Sequence, residues 1–429
     1  MFLSIYNQKN NIIKFFLNIQ NYIYFLFLIF PLSILLGSFA INLNIFIISL
    51  IYLLSLIRKK INHNYQDKIF FLLIFFLISL ITNLIFSNNI SLSYPRVIKF
   101  FFIIFFIFSF KNCLLNLSED QIEKLYKIWS IIFMFIVFDL VIEFFNGKNI
   151  IGIKSGIPTQ RLASFTGEEM VIGNYFYGFV LIFLSYFYNN FSKKKYLNLL
   201  LATFFILISF IIGERANFIK TFAIISLFIF FIYDFKLRYK IFLLITLTFI
   251  LIAFVSSNEK YKLRYFDQVY SFFKKDGIST YLKNSQYGAH YNVANEIFKD
   301  NPFFGIGIKN FRIESAKNKY NNLDHIYNDV RAATHPHQLH YEFLSETGLF
   351  GYLSFLLFIF LSIYWSIKNY LINKNIYQFS SILFILISLL PLLPSGSFLS
   401  TYTSSIFWLN YAIMVGYNDL KIKRVKNRI

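Results

Sequence analysis

Half of the six histidines in this 429-residue chain lie in one stretch, THPHQLHYEFLSETGLFG, residues 334–351. Thr334 or His335 suits the N-cap of a helix and Pro336 suits its first turn, so the pattern predicts a helix that starts there. His337 would lie near the positive end of the helix dipole, which keeps an imidazole neutral and able to accept a proton. Amphipathic filler at a membrane interface is the alternative interpretation of these histidines.

Several arginines stand in segments that the sequence places beside this stretch. One lies in GERAN, residues 213–217, between two apolar runs, where an ionisable side chain is costly unless it is paired or solvated. Glu214 could pair with Arg215, although a snorkelling arginine that anchors the turn is equally compatible. The candidate arginines are Arg161, Arg215, Arg312 and Arg331.

These residue types suit one kind of reaction. Guanidinium groups bind phosphate oxygens in a bidentate manner, and a lipid diphosphate at a membrane surface would present such oxygens. Displacing a diphosphate from a sugar needs positive charge around the leaving group and a base for the attacking hydroxyl. The arginines could supply the charge and His337 the base. We find no P-loop, HExxH or CxxC motif and a single cysteine, Cys113, so the sequence predicts no metal and no cofactor.

The composition is that of a membrane protein, with membrane lipids as its surroundings. Hydrophobic residues make up 57% of the chain and charged residues 14%, against about 25% charged in soluble proteins. The net charge of +20 fits the basic cytoplasmic loops of such proteins, so we do not expect nucleic-acid binding. The first apolar segment lacks a small-residue cleavage site and is interpreted as a retained span.

The apolar runs predict an all-α integral membrane protein with about twelve transmembrane helices. Lys and Arg concentrate in alternate loops and in the tail KIKRVKNRI, which puts both termini in the cytoplasm. The predicted spans are 22–38, 40–57, 69–86, 97–110, 126–145, 170–188, 197–213, 216–234, 239–256, 349–367, 376–393 and 399–418.

The chain divides at one long external loop. Residues 1–256 hold nine spans, residues 257–348 form a loop large enough for a small helical domain, and residues 349–429 hold three spans and the basic tail. Asp139 and Glu143 lie four residues apart near the outer end of the fifth span. This pair could relay protons, contact a neighbouring helix or line a wet cavity.

Four segments resemble the O-antigen ligase and O-antigen polymerase superfamily of multi-pass membrane glycosyltransferases. The stretch from His337-Gln338 through Glu346-x-Gly348-x-x-Gly351 is similar to the family's H-[NSQ]…E-x-G-x-x-G signature, and NPFFGIGIKNF at 301–311 is similar to its P-hh-G-h-G-x-x-x-F stretch. ERAN, which holds Arg215, and RLASFTGEE, which begins with Arg161, resemble two further motifs. Gln338 replaces the commoner Asn, and His335 and His340 are extra histidines, so the identity of the base stays open among the three.

The resemblance implies a fold of the GT-C class and a metal-independent enzyme with a periplasmic active site in the bacterial inner membrane. The donor would be a glycan on undecaprenyl diphosphate, and the acceptor a hydroxyl of lipid A–core or of another glycan. His337 would be catalytic, and three arginines would bind the diphosphate: Arg161, Arg215 and Arg331. Supporting roles are expected for Glu214, Gln338, Glu346, His335 and His340.

Two alternatives to a ligase of lipopolysaccharide biosynthesis remain open at this point. A polymerase of O-antigen or exopolysaccharide would use the same donor and a second lipid-linked repeat as acceptor. A transporter of lipid-linked sugars without covalent chemistry would also have about twelve spans, but it should carry polar sites near the bilayer midplane. Here the polar groups lie in the external segments, which favours the enzyme.

Overall fold

The computed structural model describes residues 19–59, 67–154, 161–169, 171–268, 270, 277–321, 323–391 and 393–418. Within these ranges the chain is helical and contains no β-strand, apart from one isolated bridge between Lys148 and Lys154. The predictions for the extreme N-terminus, for most of the basic loop RKKINHNYQDK and for the basic C-terminal tail fall outside the described residues.

Fifteen α-helices of six or more residues can be traced through these ranges. They are α1 Ile19–Leu28, α2 Phe30–Leu35, α3 Ser38–Ile57, α4 Lys68–Ile85, α5 Ile90–Asn116, α6 Glu119–Asn146, α7 Ile172–Phe191, α8 Lys195–Ile212, α9 Arg215–Ile232, α10 Leu237–Ser257, α11 Ile278–Asn284, α12 Gln286–Asp300, α13 Leu339–Asn373, α14 Ile376–Ser388 and α15 Thr401–Gly416. The shorter helical turns are Ser164–Glu169, Glu259–Tyr261, Lys262–Asp267, Phe311–Glu314, Asn318–Tyr320 and Asn328–Val330.

Eight of these helices are long and apolar enough to cross a membrane: α3, α4, α5, α6, α8, α9, α10 and α13. An all-helical chain with these segments fits an integral membrane protein. The other predicted spans are also helical, as α1 with α2, α7, α14 and α15, but they do not meet the same test of length and apolarity. The total of twelve spans therefore stays a prediction.

Two predicted spans differ in their bounds from the helices. The predicted span 22–38 is divided at Ile29, because Pro31 in the first turn of α2 cannot donate a backbone hydrogen bond to the preceding turn. The predicted span 97–110 lies inside the much longer α5, which starts at Ile90 and includes Pro95. The predicted bounds are too narrow, because polar residues such as Arg96 and Lys111 also belong to the helix.

Aromatic side chains fill the centre of the helical bundle. Helix α5 packs on α3 and α15, and α13 packs on α4. Phe76 lies where α13 packs on α4, and the centroid of its ring lies 4.8 Å from that of Phe358 and 5.0 Å from that of Phe100. Such tilted and edge-on pairs add to the stability gained from burial. The packing fixes the ends of α4, α5 and α13, which carry the polar groups described below.

The segments that join alternate helices meet at one end of the bundle, which we call the loop end. Leu162, between α6 and α7, donates its N–H to Ile212 O at the end of α8 (3.1 Å), and Asn88, between α4 and α5, donates to Ile306 O (2.9 Å). The long segment between α10 and α13 lies there too. It has a small apolar core of its own, formed by Val293, Ala294, Ile297, Ile306, Phe311 and Tyr320.

Buried carboxylates on helix ends hold these segments in place. Glu143 accepts hydrogen bonds from the backbone N–H groups of Ala163 (2.9 Å) and Ser164 (2.7 Å). Asp139, one helical turn away, accepts from Ile150 N (2.9 Å) and Ser164 Oγ (2.6 Å). Because fixed backbone and hydroxyl donors occupy both carboxylates, the pair anchors the segment after α6, and the proton-relay interpretation has no support in the geometry.

The segment 302–307 and the residues 345–350 of α13 touch backbone to backbone, and we call this contact the glycine joint. Hydrogen bonds run in both directions: Gly307 N donates to Glu346 O (2.9 Å), and Leu349 N donates to Pro302 O (2.8 Å). Asn83 of α4 donates to Glu346 O (2.8 Å) and Phe304 O (2.6 Å). The joint therefore fastens the long segment to two membrane helices.

Only glycine fits at the centre of the joint. Gly305 and Gly348 have φ values of +67° and +65°, in the left-handed region that side chains rarely adopt. A Cβ on Gly305 would lie 2.5 Å from Glu346 O, and a Cβ on Gly348 would lie 2.5 Å from Phe303 O. The glycines of the two sequence motifs are thus explained by the close approach of two main chains.

Substitution of the joint should therefore unfold the loop end. We expect Gly305→Ala or Gly348→Ala to lower the free energy of unfolding by about 3 kcal/mol or more, because backbone strain adds to a clash with main-chain atoms that cannot yield. Gly147→Ala is the matched control: its φ is +70°, but a Cβ there meets nothing within 4 Å.

Thermal unfolding of the purified protein in detergent measures the difference. The control should lose only about 1 kcal/mol, the cost of the strained backbone alone. Equal losses in the control and the joint variants would contradict this role for the joint.

Candidate active site

Three imidazole rings from distant parts of the sequence meet at the loop end and form what we call the histidine cluster: His290, His335 and His337. The ring centroid of His337 lies 4.0 Å from that of His335 and 5.1 Å from that of His290. Tyr287 packs edge-on against His337 at 5.6 Å. The cluster is assembled from helix α12 and the segment just before α13.

The helix after these histidines starts later than the sequence predicted. Its N-cap is Gln338, whose side-chain oxygen accepts from Tyr341 N at 3.0 Å, and its first residue is Leu339. The N-cap predicted at Thr334 or His335 is wrong. The chain through Pro336 and His337 is not helical, and the helix begins only after Gln338, whose side chain satisfies a free N–H group of the first turn. His337 remains next to the helix N-terminus, directly before the cap.

The backbone at His337 has an unusual dihedral angle. Its φ is +59°, a left-handed conformation that costs about 1 kcal/mol or more for a residue with a Cβ. Its carbonyl oxygen accepts from Ser395 N at 2.7 Å, which ties it to the segment between α14 and α15. Strained positions of this kind collect at functional sites, where the surrounding structure holds them.

The hydrogen bonds of the ring nitrogens separate the three histidines that the sequence left as candidate bases. His340 uses both nitrogens, one with Tyr352 Oη (2.9 Å) and one with Leu389 O (2.8 Å). His335 likewise contacts Thr334 Oγ1 (3.0 Å) and Ser395 O (3.4 Å). His337 makes no ring hydrogen bond to any residue that the structure describes, so its lone pair is available.

Burial keeps the cluster uncharged. Desolvation, followed by the neighbouring rings of His335 and His290, lowers the pKa of His337 to about 3, against a partial rise from Glu342. Desolvation and then the charge of Lys309 lower the pKa of His335 to about 4. Both imidazoles are therefore neutral at physiological pH, as a proton acceptor must be.

Three guanidinium groups, which we call the arginine group, gather around Glu214: Arg161, Arg215 and Arg264. Arg264 Nε donates to Gly213 O (2.6 Å), and Arg215 Nη1 donates to Arg264 O (3.2 Å). Burial and then the charges of the other two arginines lower the pKa of Arg264 to about 10, so it stays protonated. Nε of Arg161 is buried without a hydrogen-bond partner among the described residues.

Glu214 connects the arginine group to the membrane helices. Its carboxylate accepts from Gly173 N at the start of α7 (2.8 Å) and from Asn217 Nδ2 (2.6 Å). Burial raises its pKa, while these bonds and the charges of Arg161 and Arg264 act in the opposite direction. One carboxylate among three guanidinium groups leaves excess positive charge.

Tyr287 links this charge to the histidine cluster. Its hydroxyl interacts electrostatically with Arg215, while its ring packs on His337. An anion held by the arginine group would thus lie close to the unengaged imidazole.

The other candidate residues from the sequence lie elsewhere. Arg331 donates to Asn328 O (3.1 Å) and to Asn321 Oδ1 and is 9% exposed. It fixes the turn whose Val330 O binds His290 Nε2 (3.0 Å), which differs from the expected phosphate contact. Glu346 does not face the histidines: it accepts from Lys309 N (2.8 Å) and Phe311 N (3.3 Å).

Sequence reasoning did not single out several residues of the site. Lys309 acts electrostatically on His335, and Arg264 completes the arginine group. His290 is likewise not among the residues that the sequence predicts for the site. No spacing in the sequence relates Arg264 to Arg215, 49 residues earlier, or His290 to His337, because only the folded loop end brings them together.

Comparison with known proteins identifies a family to which part of the chain is similar. Residues 198–356 match a family model described as O-Antigen ligase. No curated protein matches the chain significantly. The matched segment contains Arg215, Arg264, the histidine cluster and the glycine joint, which are the features assembled at the loop end. The match confirms the resemblance found in the sequence, since residues 198–356 of this chain are similar to the O-antigen ligase family.

Proposed function

We propose that this protein is a metal-independent glycosyltransferase of the ligase type. It moves a glycan from undecaprenyl diphosphate to a hydroxyl of lipid A–core at the periplasmic face of the bacterial inner membrane, with both termini in the cytoplasm. The observation that carries the proposal is the neutral, unengaged imidazole of His337 next to a group of arginines at one end of a membrane bundle. The family match supports ligase or polymerase chemistry in general terms.

The donor binds through its diphosphate. Arg161, Arg215 and Arg264 provide guanidinium donors for the phosphate oxygens, and Glu214 holds two of these arginines against the start of α7. In this proposal Arg331 acts indirectly, by shaping the turn that binds His290. The prenyl chain lies along the apolar surface of the helices, so the phosphates arrive at the height of the loop end.

The transfer exchanges one C–O bond for another. The acceptor hydroxyl attacks the anomeric carbon and gives its proton to His337. The bond between that carbon and the phosphate oxygen breaks, and undecaprenyl diphosphate leaves with the additional negative charge. The arginine group stabilises this charge, which is the largest electrostatic requirement of the step. Because the guanidinium groups are fixed by buried contacts, they need little reorganisation.

Substrate binding also prepares the base. In the free protein the pKa of His337 is about 3, far below the value of an efficient base at neutral pH. A doubly charged diphosphate near the imidazole favours its protonated form and raises this pKa. The base therefore becomes stronger when the donor is present, which limits unproductive protonation in its absence.

Removing the imidazole should abolish transfer without unfolding the site. We expect His337→Asn to reduce kcat about 100-fold or more, the usual contribution of a general base, because Asn tolerates the left-handed backbone but cannot accept the proton. His340→Gln is the control, since both ring nitrogens of His340 serve structural contacts. Its folded fraction should retain most of its activity.

The readout is the lipopolysaccharide ladder on a gel, supported by transfer rates of the purified protein. Full-length ladders in cells that carry only His337→Asn would contradict the proposal. The deletion strain separates ligase from polymerase: loss of a ligase leaves bare core and accumulated lipid-linked polymer, whereas loss of a polymerase leaves core with one repeat.

The pH dependence of the purified enzyme tests the neutral imidazole. Because the folded-state pKa is lowered to about 3, the free enzyme keeps its proton acceptor as the pH falls and loses it only when the pH approaches that value. We expect kcat/KM to show no acid limb near 6.5 between pH 5 and 8. The limb seen in kcat should lie at higher pH, since bound diphosphate raises the pKa. A kcat/KM limb near 6.5 would contradict this account.

A further inference from the structure

Four more cationic side chains lie on the other flank of the histidine cluster, and we call them the second basic group: Arg96, Lys99, Lys309 and Arg312. The segment before α15 connects this second basic group to the histidine cluster. Ser395 binds His337 O with its N–H and His335 Nε2 with its carbonyl oxygen.

Two residues further along, Ser397 Oγ accepts from Lys309 Nζ. Two residues span at most about 7 Å, so the Lys309 ammonium and the imidazoles are separated by about the length of one or two sugar rings.

The other three cations of this group are joined to Lys309 by their charges. Lys99 interacts with Arg96 and Lys309, and Arg96 interacts with Arg312. Arg312 also acts on His335. These are repulsions between like charges, so the arrangement is unfavourable unless a negative charge joins it.

The carboxylates nearby neutralise only part of this charge. Glu342 lies 3.7 Å from Lys309 Nζ, but its oxygens also accept from Phe398 N (2.8 Å) and Ser397 Oγ. Glu346 is engaged with backbone N–H groups after the glycine joint. Four cations face two carboxylates, which leaves two positive charges.

Three of the cations make at most one hydrogen bond to the described residues. The ammonium of Lys99 lies within α5 and makes its hydrogen bond to a neutral hydroxyl, Ser404 Oγ, at 3.3 Å. Within the described part of the chain, the guanidinium groups of Arg96 and Arg312 make no hydrogen bond. Glu346 and Glu342 act on Arg96 in the direction opposite to the repulsion by Arg312. An ammonium within a membrane helix whose hydrogen bond goes to a neutral hydroxyl is costly, and Lys99 is therefore a candidate for binding an anion.

We propose that the second basic group binds an anionic group of the acceptor glycan, a phosphate monoester or a carboxylate. The inference rests on the proposed function and specifies which acceptors it takes. The arginine group holds the donor diphosphate on the Tyr287 side of His337, and the second basic group holds the acceptor on the His335 side. The attacking hydroxyl then lies at the imidazole, between the arginine group and the second basic group. An acceptor without negative charge is therefore positioned poorly.

The test compares acceptors and variants in one transfer assay with the purified full-length protein. The acceptors are the native core glycolipid, the same material after phosphatase treatment, and the same material after amidation of its carboxylates. We expect wild-type kcat/KM to fall tenfold or more with one of the two treated acceptors, mainly through KM, and the treatment that does so identifies the anion.

Arg312→Gln and Lys99→Met should reduce this preference at least fivefold, because each removes one positive charge from the site. Arg312 is exposed and makes no hydrogen bond to the described residues, so Arg312→Gln decides the matter if Lys99→Met fails to fold. Arg238→Gln, at an exposed arginine on α10, is the control and should leave the preference unchanged.

Equal kcat/KM for all three acceptors with the wild type, or an unchanged preference in Arg312→Gln, would overturn the inference while leaving the proposed function intact. If the wild type transfers glycan to none of the acceptors, the proposed function fails and this inference fails with it.

Discussion

The loop end depends on one physical requirement: the backbone N–H groups of the connecting segments must find acceptors at the surface of an apolar bundle. The protein meets it by placing carboxylates on the ends of membrane helices. Glu143 accepts hydrogen bonds from the segment before α7, and Glu214 accepts one from the first turn of α7. Glu346 accepts hydrogen bonds from the turn after the glycine joint. A buried carboxylate that accepts two N–H groups is well stabilised, and it fixes the position of the chain it binds.

This anchoring explains how a neutral imidazole can stand among so many cations. His337 is held by its own carbonyl, which accepts from Ser395 N, while its ring makes no hydrogen bond to the described residues. Desolvation and the neighbouring rings of His335 and His290 disfavour its imidazolium form, and Lys309 and Arg312 disfavour that of His335, which preserves the lone pair until an anion binds.

Much of this arrangement could be predicted from the sequence. Apolar runs predicted the helices, and the spacing of His337, Glu346 and Gly348 predicted a common element. The pairing of the glycine motifs could not be predicted, because the contact between Gly305 and Gly348 depends on two main chains that lie far apart in sequence. The start of α13 was misplaced because Gln338, a rarer N-cap, takes the role expected of Thr334 or His335.

The most direct measurement of the central claim is an electron cryo-microscopy structure with a donor analogue that carries an uncleavable diphosphate–sugar bond. The account predicts phosphate oxygens within about 3 Å of guanidinium nitrogens of the arginine group. It also predicts that the anomeric carbon faces His337, with room for one hydroxyl between them. Phosphates bound at another part of the bundle, or a sugar turned away from His337, would contradict it.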